Sequence, residues 1–326
     1  MKALCGIVLI TVSILFAGCS NDRVKDTALQ VDKELPKDAA LLKEKDSGVS
    51  EEQVSKQKDK SQELRVHKKD VDATPILIGG FLIGGLIDGA WYSPEDFYNR
   101  KAVEMDGFEY EVYVDDKKTG VFKGSKPIYP ITGDELEEEK YDLEYALVEL
   151  YNEDKQRVDY DLALKPNWSL FPRAYKRQST KQPVYEEILK DVLIQQGLES
   201  PVSEIKEIIR ADLDGDGAEE VIMTASNANE NEFGEIKKGD NAIVIFRNVV
   251  RGKVQQQVLD QYLLIKEPEQ STMYRVLFET AQIADLDGDG IMEVIIRSWY
   301  YEGEHYSVFK LINNRLERVA INGWGI

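Results

Sequence analysis

The sequence predicts a mainly β protein in which a four-stranded unit occurs twice, each copy carrying an acidic hairpin loop. Three observations predict this. From about residue 204 onward the apolar residues recur with a period of two, as in strands that present alternate side chains to opposite faces. The stretch ADLDGDGAEEV at 211–221 returns as ADLDGDGIMEV at 284–294, a shift of 73 residues. Apolar runs and turns of the same kind then follow each loop, the mark of an internal duplication. The pattern suits two propeller-like blades and a small β-sandwich equally well, with a separate β-rich domain and one helix placed before them.

The chain starts with a leader. Residues 1–19, MKALCGIVLITVSILFAGC, place Lys2 before an apolar run that ends Phe16-Ala17-Gly18-Cys19. Small residues at that point are what signal-peptide cleavage requires. A cysteine directly after them resembles the bacterial lipobox, with Phe16 where leucine is usual. The resemblance implies cleavage before Cys19, diacylglycerol on Cys19, and attachment to the outer face of the cell membrane, or to the outer membrane in a Gram-negative cell. Cys5 and Cys19 are the only two cysteines, so the mature chain has no thiol left for disulfides or zinc.

Residues 20–74 read as a tether. Positions 21–72 hold 13 acids and 12 bases, and no aromatic residue occurs between Phe16 and Phe81. Such a composition buries too little apolar surface to fold. Ser50-Glu51-Glu52-Gln53 is a capping-box pattern that can start a local helix. The tether is nearly neutral, so the formal net charge of −19 falls on residues 73–326.

Residues 75–180 form the first β-rich segment. PILIGGFLIGGLIDGAW, 75–91, reads as a buried strand or hairpin and is too short to span a membrane. Ser93-Pro94 is an N-cap followed by proline at the first helical position. In FEYEVYVDDKKTGVFKG, 108–124, Phe108, Tyr110, Val112 and Val114 alternate, and a polar turn with Gly120 sends the chain back. Tyr141, Leu143, Tyr145 and Leu147 alternate again. This segment shows no chemical motif. Residues 181–326 then supply a helix over 184–197, with Gly197 as its C-cap, followed by the two cycles. Their turns are expected at Arg251-Gly252 and Asn313-Asn314.

The acidic loops carry the chemistry. Counting Asp212 as position 1, Asp214 and Asp216 fall at 3 and 5, Gly217 at 6, Ala218 at 7 and Glu220 at 9. The second copy places Asp285, Asp287, Asp289, Gly290, Ile291 and Glu293 at the same positions. Alternating carboxylates with a turn glycine can wrap oxygens around one hard cation, and calcium takes six to eight at about 2.3–2.6 Å. Position 7 would contribute a backbone carbonyl, so Ala218 and Ile291 can differ. Two calcium ions are thus expected, one per loop, and each loop should supply about half of the stabilisation by calcium. The EF-hand pattern is incomplete, since position 12 is Met223 or Ile296 and both flanks read as strands. The loops instead resemble the DxDxDG calcium loops of FG-GAP (VCBS-type, integrin-like) repeats. That resemblance implies a β-hairpin site completed by the acid at position 9.

Other classes find less support. A chain of net charge −19 lacks the clustered Lys and Arg that nucleic acid requires. Outside the tether the only histidine is His305, and no nucleophile, phosphate-loop or metalloprotease motif occurs. The reading is therefore an exported, membrane-anchored calcium-binding lipoprotein with a non-enzymatic binding or structural role, its extracellular protein or glycan partner unknown. The alternative is a cell-wall or polysaccharide-active protein using its acids and the aromatic group Trp299-Tyr300-Tyr301.

Overall fold

The computed structural model describes residues 73–128, 146–228, 236–268 and 275–325. The expected leader with Cys19, the expected tether as far as residue 72 with its Ser50 capping-box pattern, and Tyr141, Leu143 and Tyr145 lie outside the described residues. Among the described residues no helix is long and apolar enough to cross a membrane.

The apolar opening run makes a hairpin of β1 (Ala73–Ile78) and β2 (Phe81–Ile87), joined at Gly79-Gly80, where φ is positive at both residues. Ala73 and Thr74, just before the apolar run, already pair with Ile87 and Leu86. β3 (Ala90–Tyr92) leads into helix α1 (Pro94–Met105), capped by the Ser93 hydroxyl, which accepts from the Asp96 amide. β4 (Glu109–Val114) and β5 (Lys117–Gly124) form the next hairpin. Its turn is Asp115-Asp116, both at positive φ, and Gly120 sits inside β5 opposite Val112. The expectation of a turn containing Gly120 is corrected accordingly: two aspartates tolerate the left-handed conformation well enough to close the turn without it. The short strands β6 (Leu150–Tyr151), β7 (Arg157–Val158) and β8 (Leu162–Leu164) complete an eight-stranded sheet in the order β3-β2-β1-β8-β4-β5-β6-β7.

β9 (Lys176–Arg177) and helix α2 (Pro183–Gln195) precede the duplication. The first repeat is the antiparallel meander β10 (Glu204–Ala211), β11 (Glu220–Ser226), β12 (Asn241–Val250) and β13 (Lys253–Leu263), with β9 added at the β10 edge. The second is β14 (Leu277–Ala284), β15 (Glu293–Tyr300), β16 (Gly303–Ile312) and β17 (Arg315–Gly325). The turns fall where expected. Arg251, Gly252, Asn313 and Asn314 all have positive φ, as a two-residue hairpin turn of the primed kind requires.

Alternation along the strands sets the layers. In β15, Val294 and Ile296 face one way, into a cluster with Ile209, Ile222, Val244 and Phe246 of the first repeat. Ile295 faces the other way, into a cluster with Ile76, Ile83 and Leu164 of the eight-stranded sheet. The second repeat is therefore a central sheet covered on both faces. Helix α2 covers the far face of the first repeat through Leu189, Val192 and Leu193. Helix α1 covers the far face of the eight-stranded sheet through Phe97 and Met105. The strands from Ala73 to Leu164 thus build a sheet of their own, whereas β9 joins the first repeat, and the second repeat closes one face of the eight-stranded sheet.

Gly85 shows how closely α1 approaches. A β-carbon there would lie 2.2 Å from Phe97 Cε2 and 2.6 Å from the Thr74 carbonyl oxygen. Replacing Gly85 with alanine is expected to destabilise the protein by about 1–3 kcal/mol through overpacking. Urea unfolding of the variant against the parent checks this.

Candidate metal centre

Each acidic loop joins the first two strands of its repeat. Ala211 pairs with Glu220 across the base of the first loop, and Ala284 pairs with Glu293 across the second. Within the loops the first aspartate organises the turn. Asp212 Oδ1 accepts from the Gly215 amide at 2.8 Å and its Oδ2 from the Gly217 amide at 3.2 Å. Asp285 does the same for Gly288 at 2.7 Å and Gly290 at 3.0 Å. These glycines have φ of 80° and 91° in the first loop and 75° and 87° in the second, a region costly for residues with a β-carbon.

The remaining carboxylates repeat with equal fidelity. Asp214 accepts from the Asp216 amide at 3.1 Å, and Asp216 from the Ala218 amide at 2.7 Å. Asp287 accepts from Asp289 at 3.3 Å, and Asp289 from Ile291 at 2.8 Å. Glu220 and Glu293 each turn back to accept the amide at position 2, Leu213 at 2.9 Å and Leu286 at 2.7 Å. Five hydrogen bonds on corresponding atoms therefore recur in the two copies.

Carboxylates converge in both loops. In the first, single oxygens of Asp212, Asp214 and Glu220 lie within 4.8 Å of one another. In the second, oxygens of Asp285, Asp287 and Asp289 do. Each triad could hold a metal ion. Asp216 stands outside the first triad and Glu293 outside the second, while Ala218 and Ile291 enter the loop frameworks through their amides. Glu219, between the loop acids in sequence, forms ion pairs with Lys176 and Arg210, at 3.0 Å each.

Burial affects the acids at position 9 most. Glu220 is pushed up to about 7, chiefly by burial, with the Leu213 amide pulling it down and Asp214 and Asp216 raising it again. Asp285 is also raised, first by burial. Repulsion between a pair of ionised carboxylates at such range is of order 1–3 kcal/mol, with the lower end applying to exposed Asp214. Both facts favour a cation or protons in the loop.

The structure brings in residues that the sequence did not single out. The segment 168–173 runs across both loops. Arg173 donates to the carbonyls of Asp212 and Leu213, 2.6 Å each, and to that of Gly290 at 2.7 Å. The Met292 amide donates to Leu213 O at 2.8 Å, so the two loops are directly joined. Trp168 Nε1 donates to Asp285 O at 2.7 Å, and its ring lies over Gly288. Trp91, from β3, donates to Asp287 Oδ2 at 3.0 Å. Lys310, on β16, places its ammonium 2.5 Å from Asp287 Oδ2, 2.8 Å from Asp289 Oδ2 and 3.1 Å from Glu293 Oε1. Burial works against the Lys310 charge, but Glu293, Asp287 and Asp289 more than offset it, so its pKa lies well above the ordinary lysine value. The sequence signal for Lys310 is slight: one charge inside the apolar run VFKLI. For Arg173 there was none.

Of the other sequence candidates, His305 lies on β16 opposite Ser298 and Gly323, and burial lowers its pKa. The Arg297 guanidinium stacks on the Trp299 ring, 5.0 Å from its centroid. Comparison of the chain with models of known protein families, with characterised proteins and with solved structures finds no match.

Two outcomes follow from this geometry. Replacing Arg173 with methionine removes the donor to the Asp212 and Gly290 carbonyls and one of the two donors to Leu213 O, and is expected to cost about 2 kcal/mol in urea unfolding. Lysine at the same position should not restore the loss, because a point charge cannot reproduce the guanidinium fork. The second concerns pH. A carboxyl whose folded pKa is raised from 4.5 to about 7 binds more protons folded than unfolded. Without metal, stability contributed by Glu220 is therefore full below pH 4.5 and is lost as pH rises through about 7. Glu220→Gln should flatten that part of the stability profile measured in a chelator.

Proposed function

We propose that this protein is an exported, lipid-anchored calcium-binding protein with a non-enzymatic binding or structural role outside the cell. The observation that carries the reading is the convergence of Asp212, Asp214 and Glu220 in a loop whose five internal hydrogen bonds are duplicated in the second repeat. Backbone amides hold these carboxylates in place, so an arriving ion does not have to order the loop. Among the described residues no Lys or Arg forms an ion pair with the four acids of that loop at positions 1, 3, 5 and 9; the pairs nearby go to Glu219. Oxygen donors on a loop fit a hard cation. Calcium suits them better than magnesium, which demands near-ideal octahedral geometry and gives up its waters reluctantly.

The leader ending at Cys19 and the charged segment after it support export and anchoring on a tether. The DxDxDG spacing, the flanking strands and the acid at position 9 support a relation to FG-GAP (VCBS-type) repeats. In this role calcium acts on stability. Ion binding adds to folding by linkage, about 2.7 kcal/mol at 100 times Kd for one site. Extracellular modules bind calcium at roughly 10⁻⁴–10⁻³ M, so the domain would be firm outside the cell and loosened by chelators.

Thermal unfolding of the full chain in a chelator, in millimolar magnesium and in millimolar calcium tests the proposal. A rise in the midpoint specific to calcium, lost in Asp214→Asn, is expected. An equal midpoint in all three conditions would sink the calcium reading.

A further inference from the structure

The two loops share a backbone but not a charge environment. Continuing the β15–β16 register one residue past Val294–Phe309 sets Lys310 opposite Glu293. Continuing the β11–β12 register past Val221–Arg247 sets Asn248 opposite Glu220. The same place in the two repeats thus holds a lysine in one and an asparagine in the other. Asn248 turns away and donates its amide to the Asn314 carbonyl at 2.9 Å. Lys310 turns in and reaches Asp287, Asp289 and Glu293 at 2.5, 2.8 and 3.1 Å.

We infer that Lys310 is the resident cation of the second loop and keeps divalent ions out of it, so that the loop repeats are one ion site and one internal mimic of an ion site. An ammonium with three carboxylate oxygens at hydrogen-bond distance occupies the space that calcium would need, since calcium takes its oxygens at about 2.3–2.6 Å. Both ions cannot be accommodated, because at such separations their repulsion is large in a site of reduced dielectric. The lysine side chain is only 14% exposed, and Glu293 has no exposure at all. Expelling the ammonium would therefore move it past packed neighbours on the central sheet.

Asp287 is also committed. Its Oδ1 accepts from the Asp289 amide and its Oδ2 from both Lys310 and the Trp91 indole. The equivalent Asp214 accepts the Asp216 amide on Oδ1, and among the described residues no donor to its Oδ2 appears. The first loop offers an open carboxylate oxygen where the second has filled its own. On this inference the chain takes one calcium ion, where the duplication by itself leads to an expectation of two. The inference rests on the calcium reading for the first loop only.

The test uses the full chain. Calcium per chain is measured by equilibrium dialysis for the parent, Asp214→Asn and Asp287→Asn. In a chelator, Lys310→Met, Asp287→Asn and the double variant form a thermal unfolding cycle. The inference expects one calcium in the parent, unchanged in Asp287→Asn and lost in Asp214→Asn. It expects Lys310→Met to lower the midpoint by roughly 5–10 °C, with the double variant losing clearly less than the sum. Two calcium ions in the parent, one of them lost in Asp287→Asn, overturn it, and so does an additive cycle. No calcium in any variant, with a coupled cycle, removes the proposed function and leaves Lys310 as the loop's cation. Amine acetylation of the parent, read by peptide mass spectrometry, needs no variant to fold. Lys310 should be equally protected in chelator and in calcium, whereas increased labelling in calcium overturns the inference.

Discussion

A strand that is apolar on both faces has to be covered on both faces, and β15 is such a strand. Val294, Ile295 and Ile296 are each no more than 1% exposed, yet they point alternately to opposite sides. One side is met by the first repeat and the other by the eight-stranded sheet. Everything else in the arrangement follows from that demand. The flanking sheets each present one apolar face inward, and each then needs a cover on the outside, which α1 and α2 provide. A hydrogen bond from the Asn322 amide to Leu82 O, 2.6 Å and buried, joins the central sheet to its neighbour where side-chain packing alone would leave a carbonyl unsatisfied.

The stacking also decides where the acidic loops go. Sheets packed face to face bring equivalent hairpin loops side by side, and here they touch through Met292 and Leu213. Two loops rich in carboxylates would repel if nothing lay between them. What joins them is backbone and one cation: the Met292 amide donates to Leu213 O, and the Arg173 guanidinium donates to carbonyl oxygens of both loops. The carboxylates face their own amides instead. This division keeps the loop carboxylates on hydrogen-bond donors, so that buried Glu220, which has no Lys or Arg partner among the described residues, is met by the Leu213 amide.

The copies then differ in how the remaining negative charge is met. In the second loop Lys310 supplies positive charge to Asp287, Asp289 and Glu293, whereas among the described residues no Lys or Arg forms an ion pair with Asp212, Asp214, Asp216 or Glu220. The second loop is thus held from within the chain, by its own ammonium together with the contacts of Trp168 and Arg173 to its carbonyls.

Much of this was readable in the sequence because it is local. A period of two along a strand, Ser93-Pro94 at a helix start, glycines at loop positions that need positive φ, and turns at Arg251-Gly252 and Asn313-Asn314 depend on neighbours a few residues away, and all appear in the structure. The same holds for the position of Glu220 and Glu293 against their loops, seven residues from the amides that they accept. By itself the sequence determined the strands, the duplication and the identity of the acids. Only the tertiary structure decided which face of each sheet is covered by what, and that the segment around Trp168 and Arg173 crosses both loops. It also decided that Lys310, rather than Asn248, points into its loop. The physical reason is that these depend on contacts between residues separated by up to 240 positions. Such pairings follow from shape and charge complementarity between whole sheets, and no local pattern encodes them.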